Sequence, residues 1–289
     1  MFDGFTTVRV DADGVSIDLV RGGDGPPLLL LHGYPQTHVM WHRVAPLLTE
    51  RFTVVVPDLR GYGDSSKPPG GADHAAYSKR AMAQDQVEVM RALGHERFAV
   101  AGHDRGGRVA YRMARDHPER VTRLAVLDIV PTDTMYASTS RELATAYFHW
   151  FFLIQPFDLP ERLIGCEPLR WLHASLGGWG TELASFDPDA VREYERCFAD
   201  PAAIHASCED YRAGASIDLV HDEADRGRRL ACPLLVLWGT SGAMHAVFDV
   251  LATWGDRGDD VQGRALDCGH FLAEELPDET AAELVRFFA

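Results

Sequence analysis

The sequence predicts an α/β protein built on a doubly wound, mostly parallel sheet with an inserted helical cap, and three observations lead to this fold class. Near-continuous apolar runs, typical of strands buried on both faces, recur along the chain. Helical patterns separate most of these runs, which indicates right-handed strand–helix–strand crossovers. One long stretch contains no convincing strand and is typical of a helical insertion.

The strands can be assigned in chain order. Two short alternating runs, at residues 7–10 and 15–20, flank Asp13-Gly14, a dipeptide that favours tight hairpin turns. An antiparallel hairpin is therefore expected there. The parallel strands that follow are predicted at residues 28–31, 53–56, 97–101, 124–127 and 234–238, with a weaker one near 263–266.

Helical patterns divide the chain into two parts. Between the predicted strands and after the last one, they cover residues 81–93, 107–117 and 278–288. From Pro131 to about Arg228 there are many aromatic residues, several prolines and helical segments at 141–154, 189–198 and 202–213. We therefore expect a core made of residues 1–130 and 229–289, and a helical cap made of residues 131–228.

Composition restricts the partners and the compartment. Hydrophobic residues make up 46% of the 289 residues and charged residues 25%, which is ordinary for a folded domain. The net charge of −15 argues against a nucleic acid or an anionic membrane as partner. The five cysteines are scattered without metal-site spacing, no apolar run approaches the roughly 18 residues of a membrane span, and no secretory signal is visible. A cytoplasmic protein without a metal site is expected.

The segment Gly102-His103-Asp104-Arg105-Gly106 lies where a predicted strand gives way to a helix. Such a glycine-flanked turn is typical of a nucleophile elbow, which exposes one side chain. Here that side chain is a carboxylate, which attacks an electrophilic sp3 carbon, expels a leaving group and forms an alkyl ester that water must hydrolyse. The alternative is a Gly-rich turn whose Asp caps the following helix.

A histidine and an acid follow in the chain order that a nucleophile–acid–His triad requires. His270 comes directly after the last predicted strand, where a side chain can reach the carboxyl edge of the sheet. Asp128 ends the strand at 124–127, whereas the loop after 234–238 has no carboxylate before Asp249. We therefore expect Asp128 to accept the Nδ1 proton of His270. A turn-forming Asp and a solvated loop histidine are the simpler interpretations.

Two arginines accompany the elbow. Arg105 and Arg108 are three residues apart in the first turn of the helix and therefore share a face. A guanidinium binds a carboxylate as a planar fork, and a helix N-terminus adds attraction for an anion. The pair predicts an anionic substrate. The alternative is two surface arginines paired with some of the 43 acidic residues.

The segment His32-Gly33-Tyr34-Pro35 follows the first predicted parallel strand, where this architecture builds its oxyanion hole. The backbone N–H groups of Tyr34 and Arg105 are candidates to hold the oxyanion during ester hydrolysis. Only the backbone of Tyr34 is needed for this role. A plain tight turn is the alternative, since Gly and Pro account for one by themselves.

Together these motifs resemble the haloacetate dehalogenases, α/β-hydrolase-fold enzymes that include the fluoroacetate dehalogenases. The resemblance covers nearly the whole chain and is carried by His-Gly-Tyr-Pro-Gln at 32–36, Gly-His-Asp-Arg-Gly-Gly-Arg at 102–108, Asp128, His149-Trp150 and Cys268-Gly269-His270. The Asp-Arg-Gly-Gly-Arg run is more specific than the fold, since related epoxide hydrolases and haloalkane dehalogenases usually have Trp after the nucleophile.

The resemblance implies a role for each matching residue near the elbow. Asp104 would be the nucleophile, His270 the base and Asp128 its partner. Arg105 and Arg108 would bind the carboxylate of a short 2-haloacid such as a haloacetate. The resemblance also implies that no metal or organic cofactor is needed and that the protein is a homodimer.

The halide site is likewise implied by the resemblance. His149, Trp150 and Tyr211 would receive the halide, and Tyr147 and Tyr194 are the other cap tyrosines that could take the place of Tyr211. An imidazole N–H, an indole N–H and a phenol O–H are neutral donors suited to a compact, tightly hydrated anion.

Two other functions remain open from the sequence. An epoxide hydrolase would share the Asp nucleophile and the His base and would use cap tyrosines on the epoxide oxygen. The paired arginines count against it, because a neutral epoxide gains nothing from cations that are costly to bury. A catalytically silent binding protein for small acids is the other alternative, which the fold alone permits.

Overall fold

The computed structural model describes residues 1–289, and its centre is one eight-stranded sheet. The strands are β1 (Thr6–Ala12), β2 (Val15–Gly22), β3 (Pro27–Leu31), β4 (Thr53–Pro57), β5 (Phe98–His103), β6 (Val121–Leu127), β7 (Leu234–Gly239) and β8 (Val261–Leu266). Their order across the sheet is β1-β2-β4-β3-β5-β6-β7-β8. Only the pairs β1–β2 and β2–β4 are antiparallel, so the predicted mostly parallel sheet is confirmed.

The predicted hairpin is present, and its turn explains its register. Asp13 and Gly14 both have positive φ, 54° and 84°, which is the backbone of a two-residue type I′ turn. This turn pairs Ala12 with Val15 and continues the ladder to Thr6 and Arg21.

The inner strands are buried on both faces. The leucines at residues 28–31 are fully inaccessible, as are residues 234–237. Because successive side chains of a strand point to opposite faces, helices must cover both sides of the sheet. This burial explains why the sequence shows apolar runs there and no alternation.

Fifteen helices accompany the sheet, and three of them precede β6. These are α1 (Ala45–Leu48), α2 (Lys79–Ala92) and α3 (Asp104–Asp116). Helices α2 and α3 pack against each other, and α3 packs on β5 and β6.

The longest connection, between β6 and β7, contains helices and no strand. We call residues 131–228 the helical insertion. Its helices are α4 (Thr132–Ala137), α5 (Arg141–Ala146), α6 (Phe148–Phe152), α7 (Leu159–Cys166), α8 (Pro168–Leu176), α9 (Pro188–Phe198), α10 (Pro201–Gly214) and α11 (Ile217–Ala224). The helices after it are α12 (Ala243–Val247), α13 (Val250–Gly255), α14 (Leu272–Glu275) and α15 (Pro277–Phe288). No helix in the structure combines the length and the apolar character needed to cross a membrane.

The prediction of one continuous helix over residues 141–154 is wrong. The chain leaves helical geometry at Tyr147, with φ −115° and ψ 38°, so that α5 ends and α6 begins there. The Tyr147 ring stacks on Trp179 at 6.0 Å, a contact that the apolar periodicity of the segment cannot reveal. The break sets the direction of α6, which carries His149 and Trp150.

The carboxyl ends of the parallel strands bring the predicted residues to one edge of the sheet. Tyr34 follows β3, Asp104 follows β5, Asp128 follows β6 and His270 follows β8. Glycine allows the close approach of these segments: a Cβ on Gly106 would lie 2.3 Å from the carbonyl oxygen of His32. The elbow therefore packs directly against the main chain of Leu31 and His32.

We expect Gly106→Ala to lower the free energy of unfolding by about 1–3 kcal/mol, the usual cost of overpacking. The added Cβ would meet main-chain atoms of Leu31 and His32, which cannot rotate away. The matched control is Gly165→Ala in α7, where no atom lies within 4 Å of the new Cβ. That change should be neutral or stabilising by about 0.5–1 kcal/mol. Denaturant unfolding of both variants measures the difference, and equal stabilities would contradict the packing argument.

Candidate active site

Asp104 lies at a strained turn. It is the first residue of α3, directly after β5, and its φ is +44°. A left-handed conformation at a residue other than glycine costs of order 1–3 kcal/mol and persists only where the surroundings impose it. A Cβ on Gly33 would come 2.6 Å from Cβ of Asp104, which shows how closely the neighbouring loop packs here.

The two oxygens of the Asp104 carboxylate have different surroundings. Oδ2 accepts a 3.0 Å hydrogen bond from the backbone N–H of Tyr34, whereas Oδ1 accepts none from the protein. Burial alone would raise the pKa of Asp104, but the positive charges of His270 and Arg105 outweigh it and hold that pKa below its usual value. The carboxylate is therefore ionised, with one oxygen held and the other available for attack.

The backbone N–H of Arg105 does not share the contact made by Tyr34. No hydrogen bond joins it to the Asp104 carboxylate, so of the two donors predicted for the oxyanion only the Tyr34 N–H is bonded to that carboxylate. The Tyr34 side chain, which the sequence left without a role, also lies in the site. Its hydroxyl accepts a 2.6 Å hydrogen bond from Trp171, and its ring packs edge-on against Tyr211 at 5.4 Å.

His270 and Asp128 form a buried pair. Nδ1 of His270 lies 2.5 Å from Oδ2 of Asp128, and Oδ1 of Asp128 accepts from the Gly239 N–H at 3.0 Å. This contact assigns the ring proton to Nδ1 and leaves Nε2, which has no protein partner, as the basic nitrogen. Asp249, the acid of the later loop, is exposed and caps α13 through the Ala252 N–H.

The charge on His270 is stabilised by three carboxylates, of which Asp128 and Asp104 have the larger effects and Glu275 the smallest. Burial disfavours the imidazolium, but the hydrogen bond and charge of Asp128, together with the charge of Asp104, outweigh burial and raise the pKa of His270. The nucleophile and its candidate base are thus electrostatically coupled.

The two arginines are both buried, but they are not equivalent. Nε and Nη2 of Arg105 donate to the Asp210 carboxylate at 2.9 and 2.7 Å, a partner that the sequence did not predict. Arg108 has no carboxylate partner; its Nη1 donates to the Val130 carbonyl at 2.8 Å and to the Thr132 hydroxyl at 3.1 Å. Burial, with the nearby charge of Arg105, lowers the pKa of Arg108 to about 10. Binding of a substrate carboxylate by both arginines stays a prediction, and for Arg105 the structure shows that Nε and Nη2 are already bonded to Asp210.

Three unpartnered donors lie beside the arginines. Nδ1 of His149, Nε1 of Trp150 and the hydroxyl of Tyr211 are buried and bond to no protein atom. The Tyr211 ring packs edge-on against His149 at 5.7 Å and against Trp150 at 5.8 Å. Burial lowers the pKa of His149 to about 3, so its imidazole is neutral. The guanidinium of Arg108 lies over the Trp150 ring at 4.5 Å.

The structure separates the three candidate tyrosines of the insertion. The Tyr194 hydroxyl is occupied, since it donates to Glu274 at 2.5 Å and accepts from Gln36 at 3.2 Å. Tyr147, like Tyr211, has a buried hydroxyl without a partner, and its ring lies 5.3 Å from His149. Tyr211 is the one that also contacts Trp150.

Sequence reasoning missed two residues of this site. The carbonyl oxygen of Trp179 accepts a hydrogen bond from the His270 N–H at 3.2 Å, and the Trp179 ring lies 4.5 Å from His149. The position of Trp179 between Gly178 and Gly180 is the only local signal in the sequence, and its φ is +55° in the structure. Asp210 lies in a run of charged residues that reads as an ordinary helix surface.

Comparison with known proteins identifies the class. A family model described as alpha/beta hydrolase fold matches residues 26–277, and the chain belongs to this family. It is 52% identical to a fluoroacetate dehalogenase from Burkholderia sp, with 100% of this chain and 95% of that protein aligned. It is 35% identical to a soluble epoxide hydrolase from Corynebacterium sp. strain C12, over 96% of this chain and 95% of that protein. The crystal structure of ALR0039 from Nostoc sp PCC 7120 superposes with a TM-score of 0.99 at 58% identity, covering 100% and 99% of the two chains.

The coupling between the nucleophile and His270 predicts a pKa change. In Asp104→Asn, the pKa of His270 should fall below its value in the unmodified protein, because one of the negative charges that raise it is gone. Histidine titration by NMR measures this directly. The exposed Asp249→Asn is the control and should leave the curve of His270 in place. An unchanged pKa in Asp104→Asn would contradict the coupling.

Proposed function

We propose that the protein hydrolyses short 2-haloacids, haloacetates first, to 2-hydroxy acids through an ester on Asp104. The observation that carries the proposal is the ionised Asp104 carboxylate with one oxygen bonded to the Tyr34 N–H and the other without a protein partner. The full-length similarity to a fluoroacetate dehalogenase supports the choice of substrate.

The first half of the reaction forms the ester. Oδ1 of Asp104 attacks the carbon that carries the halogen, and the carbon–halogen bond breaks with its electron pair leaving on the halide. Arg108 and Arg105 hold the substrate carboxylate, so the attacked carbon is presented to the nucleophile. Fixing both ends of so small a substrate converts the displacement into an effectively intramolecular step.

The departing halide is received by the donors of His149, Trp150 and Tyr211. Because His149 is neutral, all three donors bring a dipole without adding another buried charge. A hydrogen bond to a charged group is worth roughly 1.5–3 kcal/mol. Fluoride is small and strongly hydrated, so this replacement of its water is most important for a carbon–fluorine bond.

The second half of the reaction hydrolyses the ester. Nε2 of His270 takes a proton from water, and the resulting hydroxide attacks the ester carbonyl carbon of Asp104. The oxyanion develops on Oδ2, where the Tyr34 N–H already donates. The Arg105 N–H remains the second proposed donor. Asp128 stabilises the imidazolium. As the intermediate collapses, the bond between Cγ and Oδ1 of Asp104 breaks, the leaving alkoxide takes the proton from Nε2 of His270, and the 2-hydroxy acid is released; the oxygen from water remains on Asp104, whose carboxyl group then ionises.

We further propose the organisation of the protein around this reaction. Residues 1–130 and 229–289 act as the hydrolase core, and residues 131–228 act as a cap that supplies the halide donors. The resemblance to the dehalogenases supports a homodimer, which a measured mass in solution of twice the monomer tests. The five free cysteines are in keeping with the cytoplasm.

Epoxide hydrolysis is the second candidate, and one observation favours it. The hydroxyls of Tyr211 and Tyr147 have no partner and are available to donate to an epoxide oxygen, and an epoxide hydrolase is among the relatives. Arg108 favours a haloacid over an epoxide as the substrate, because a neutral epoxide leaves the buried charge of Arg108 uncompensated.

We expect His270→Asn to release about one halide per site from chloroacetate or fluoroacetate and then to stop. Without the base, the ester on Asp104 persists. A halide electrode follows the burst, and mass spectrometry of the Asp104 peptide detects the added carboxymethyl group. Styrene oxide serves as the competing substrate for the intact protein. Sustained turnover by His270→Asn would remove His270 from the mechanism, and opening of styrene oxide without halide release would favour the epoxide hydrolase.

Tyr211→Phe should slow defluorination more than dechlorination, because it removes one hydrogen bond to the leaving anion. The expected loss for fluoroacetate is roughly ten- to hundredfold in kcat. Tyr136→Phe is a suitable control, since this half-buried residue also has a buried hydroxyl without a partner, and that hydroxyl carries no proposed role. Equal losses for both halides would argue against Tyr211 as a halide donor.

A further inference from the structure

Asp210 is a residue of α10 whose fully buried carboxylate accepts hydrogen bonds from side chains outside the helical insertion. It accepts from Nε and Nη2 of Arg105 at 2.9 and 2.7 Å, from the Tyr62 hydroxyl at 2.7 Å, and closely from Nζ of Lys79. Burial would raise the pKa of Asp210, but Arg105 and Lys79 outweigh it and hold that pKa well below its usual range. The group is therefore a permanent anion beside the site.

This contact limits what Arg105 can offer to a substrate. Both protons of its Nη2 are used, one by the Asp210 carboxylate and one by the Asp210 carbonyl oxygen at 2.8 Å, and Nε is used as well. Only Nη1 is left to donate, and the charge is already compensated. Arg108 is the opposite case: it has no carboxylate partner, and its Nε and Nη2 donate to no protein group.

The same carboxylate also fixes the position of a proposed halide donor. Tyr211 follows Asp210 directly, and the Arg105 guanidinium lies 4.1 Å from the centre of the Tyr211 ring. Lys79 of α2 and Tyr62, which follows β4, tie this turn of α10 to the core. A shift of Asp210 would move Arg105 and Tyr211 together.

We propose that Asp210 is a positioning and specificity residue for the haloacid reaction, an inference that rests on the proposed function. It compensates the charge of Arg105, so that Arg108 is the cation that draws in the substrate anion. It also aligns Nη1 of Arg105 with the Tyr211 hydroxyl, at the carboxylate end and the halide end of one small molecule. Arg105 thereby orients the substrate carboxylate, and Arg108 provides the positive charge that attracts it.

The test is Asp210→Asn in the full-length protein, which keeps the shape of the side chain and removes its charge. With Arg105 uncompensated, acetate, the substrate without its halogen, should bind roughly tenfold more tightly by calorimetry. With Arg105 and Tyr211 no longer aligned, kcat for fluoroacetate should fall at least roughly tenfold. Tighter anion binding with slower turnover is a combination that simple damage to the fold does not produce.

Asp218→Asn is the matched control. Asp218 is buried on α11 of the same insertion and contacts the same lysine as Asp210. It accepts a hydrogen bond from the backbone N–H of Lys79 at 2.8 Å, but it makes no contact with Arg105. Acetate affinity and kcat should stay near those of the parent. If Asp210→Asn does not fold, the double variant Lys79→Met/Asp210→Asn keeps the buried net charge of the parent and should bind acetate more tightly than Lys79→Met alone.

Three outcomes would overturn the proposal. These are unchanged or weaker acetate binding in the Asp210 variants, unchanged kcat, and equal effects in Asp218→Asn. Failure of the proposed function is distinguishable from these. If the proposed function is wrong, the parent protein will release no halide. Acetate binding requires no turnover, so it tests the role of Asp210 independently of that result.

Discussion

The close backbone approach at the elbow is the constraint on which the rest of the site depends. Because Gly33 and Gly106 carry no side chains, the loop after β3 lies directly against the start of α3. This contact brings the Tyr34 N–H to Oδ2 of Asp104 and keeps a left-handed φ at a residue that would otherwise avoid it. The strain is held by the packed sheet, whose inner strands are inaccessible on both faces. The result is a carboxylate whose two oxygens are no longer equivalent, which is what the proposed roles of nucleophile and oxyanion site require.

Charge pairing around the elbow explains why an anionic substrate fits. Asp128 is paired with His270, and Asp210 with Arg105, so these buried charges have partners that offset their desolvation. Arg108 is bonded to neutral oxygens only. Its buried charge has no carboxylate partner, and burial together with the charge of Arg105 lowers its pKa. A substrate carboxylate would provide the missing negative charge. The charges around the elbow thus suit the proposed anionic substrate, although the chain as a whole has a net charge of −15.

The fold was predictable because its signals are local. Buried strands read as apolar runs, and a parallel sheet necessarily gathers the residues at its carboxyl ends, which is why Asp104, Asp128 and His270 could be placed together. The break at Tyr147 was not predictable, since neither Gly nor Pro marks it and a distant ring contact accompanies it. Asp210 was missed for a similar reason: its partner Arg105 is 105 positions away in the chain, and a charged helix residue looks solvated until the packing is known.

The electrostatic coupling between Asp104 and His270 gives the proposed reaction its order. While Asp104 is anionic, its charge raises the pKa of His270, and a positive charge on that ring in turn lowers the pKa of Asp104. Formation of the ester removes the negative charge of Asp104. One of the carboxylate charges that raise the pKa of His270 is then lost, so the pKa of the ring falls as the ester appears. Asp128 still orients the ring, and Nε2 becomes free to accept a proton from water. The step that creates the need for a base therefore also favours the neutral, basic form of His270.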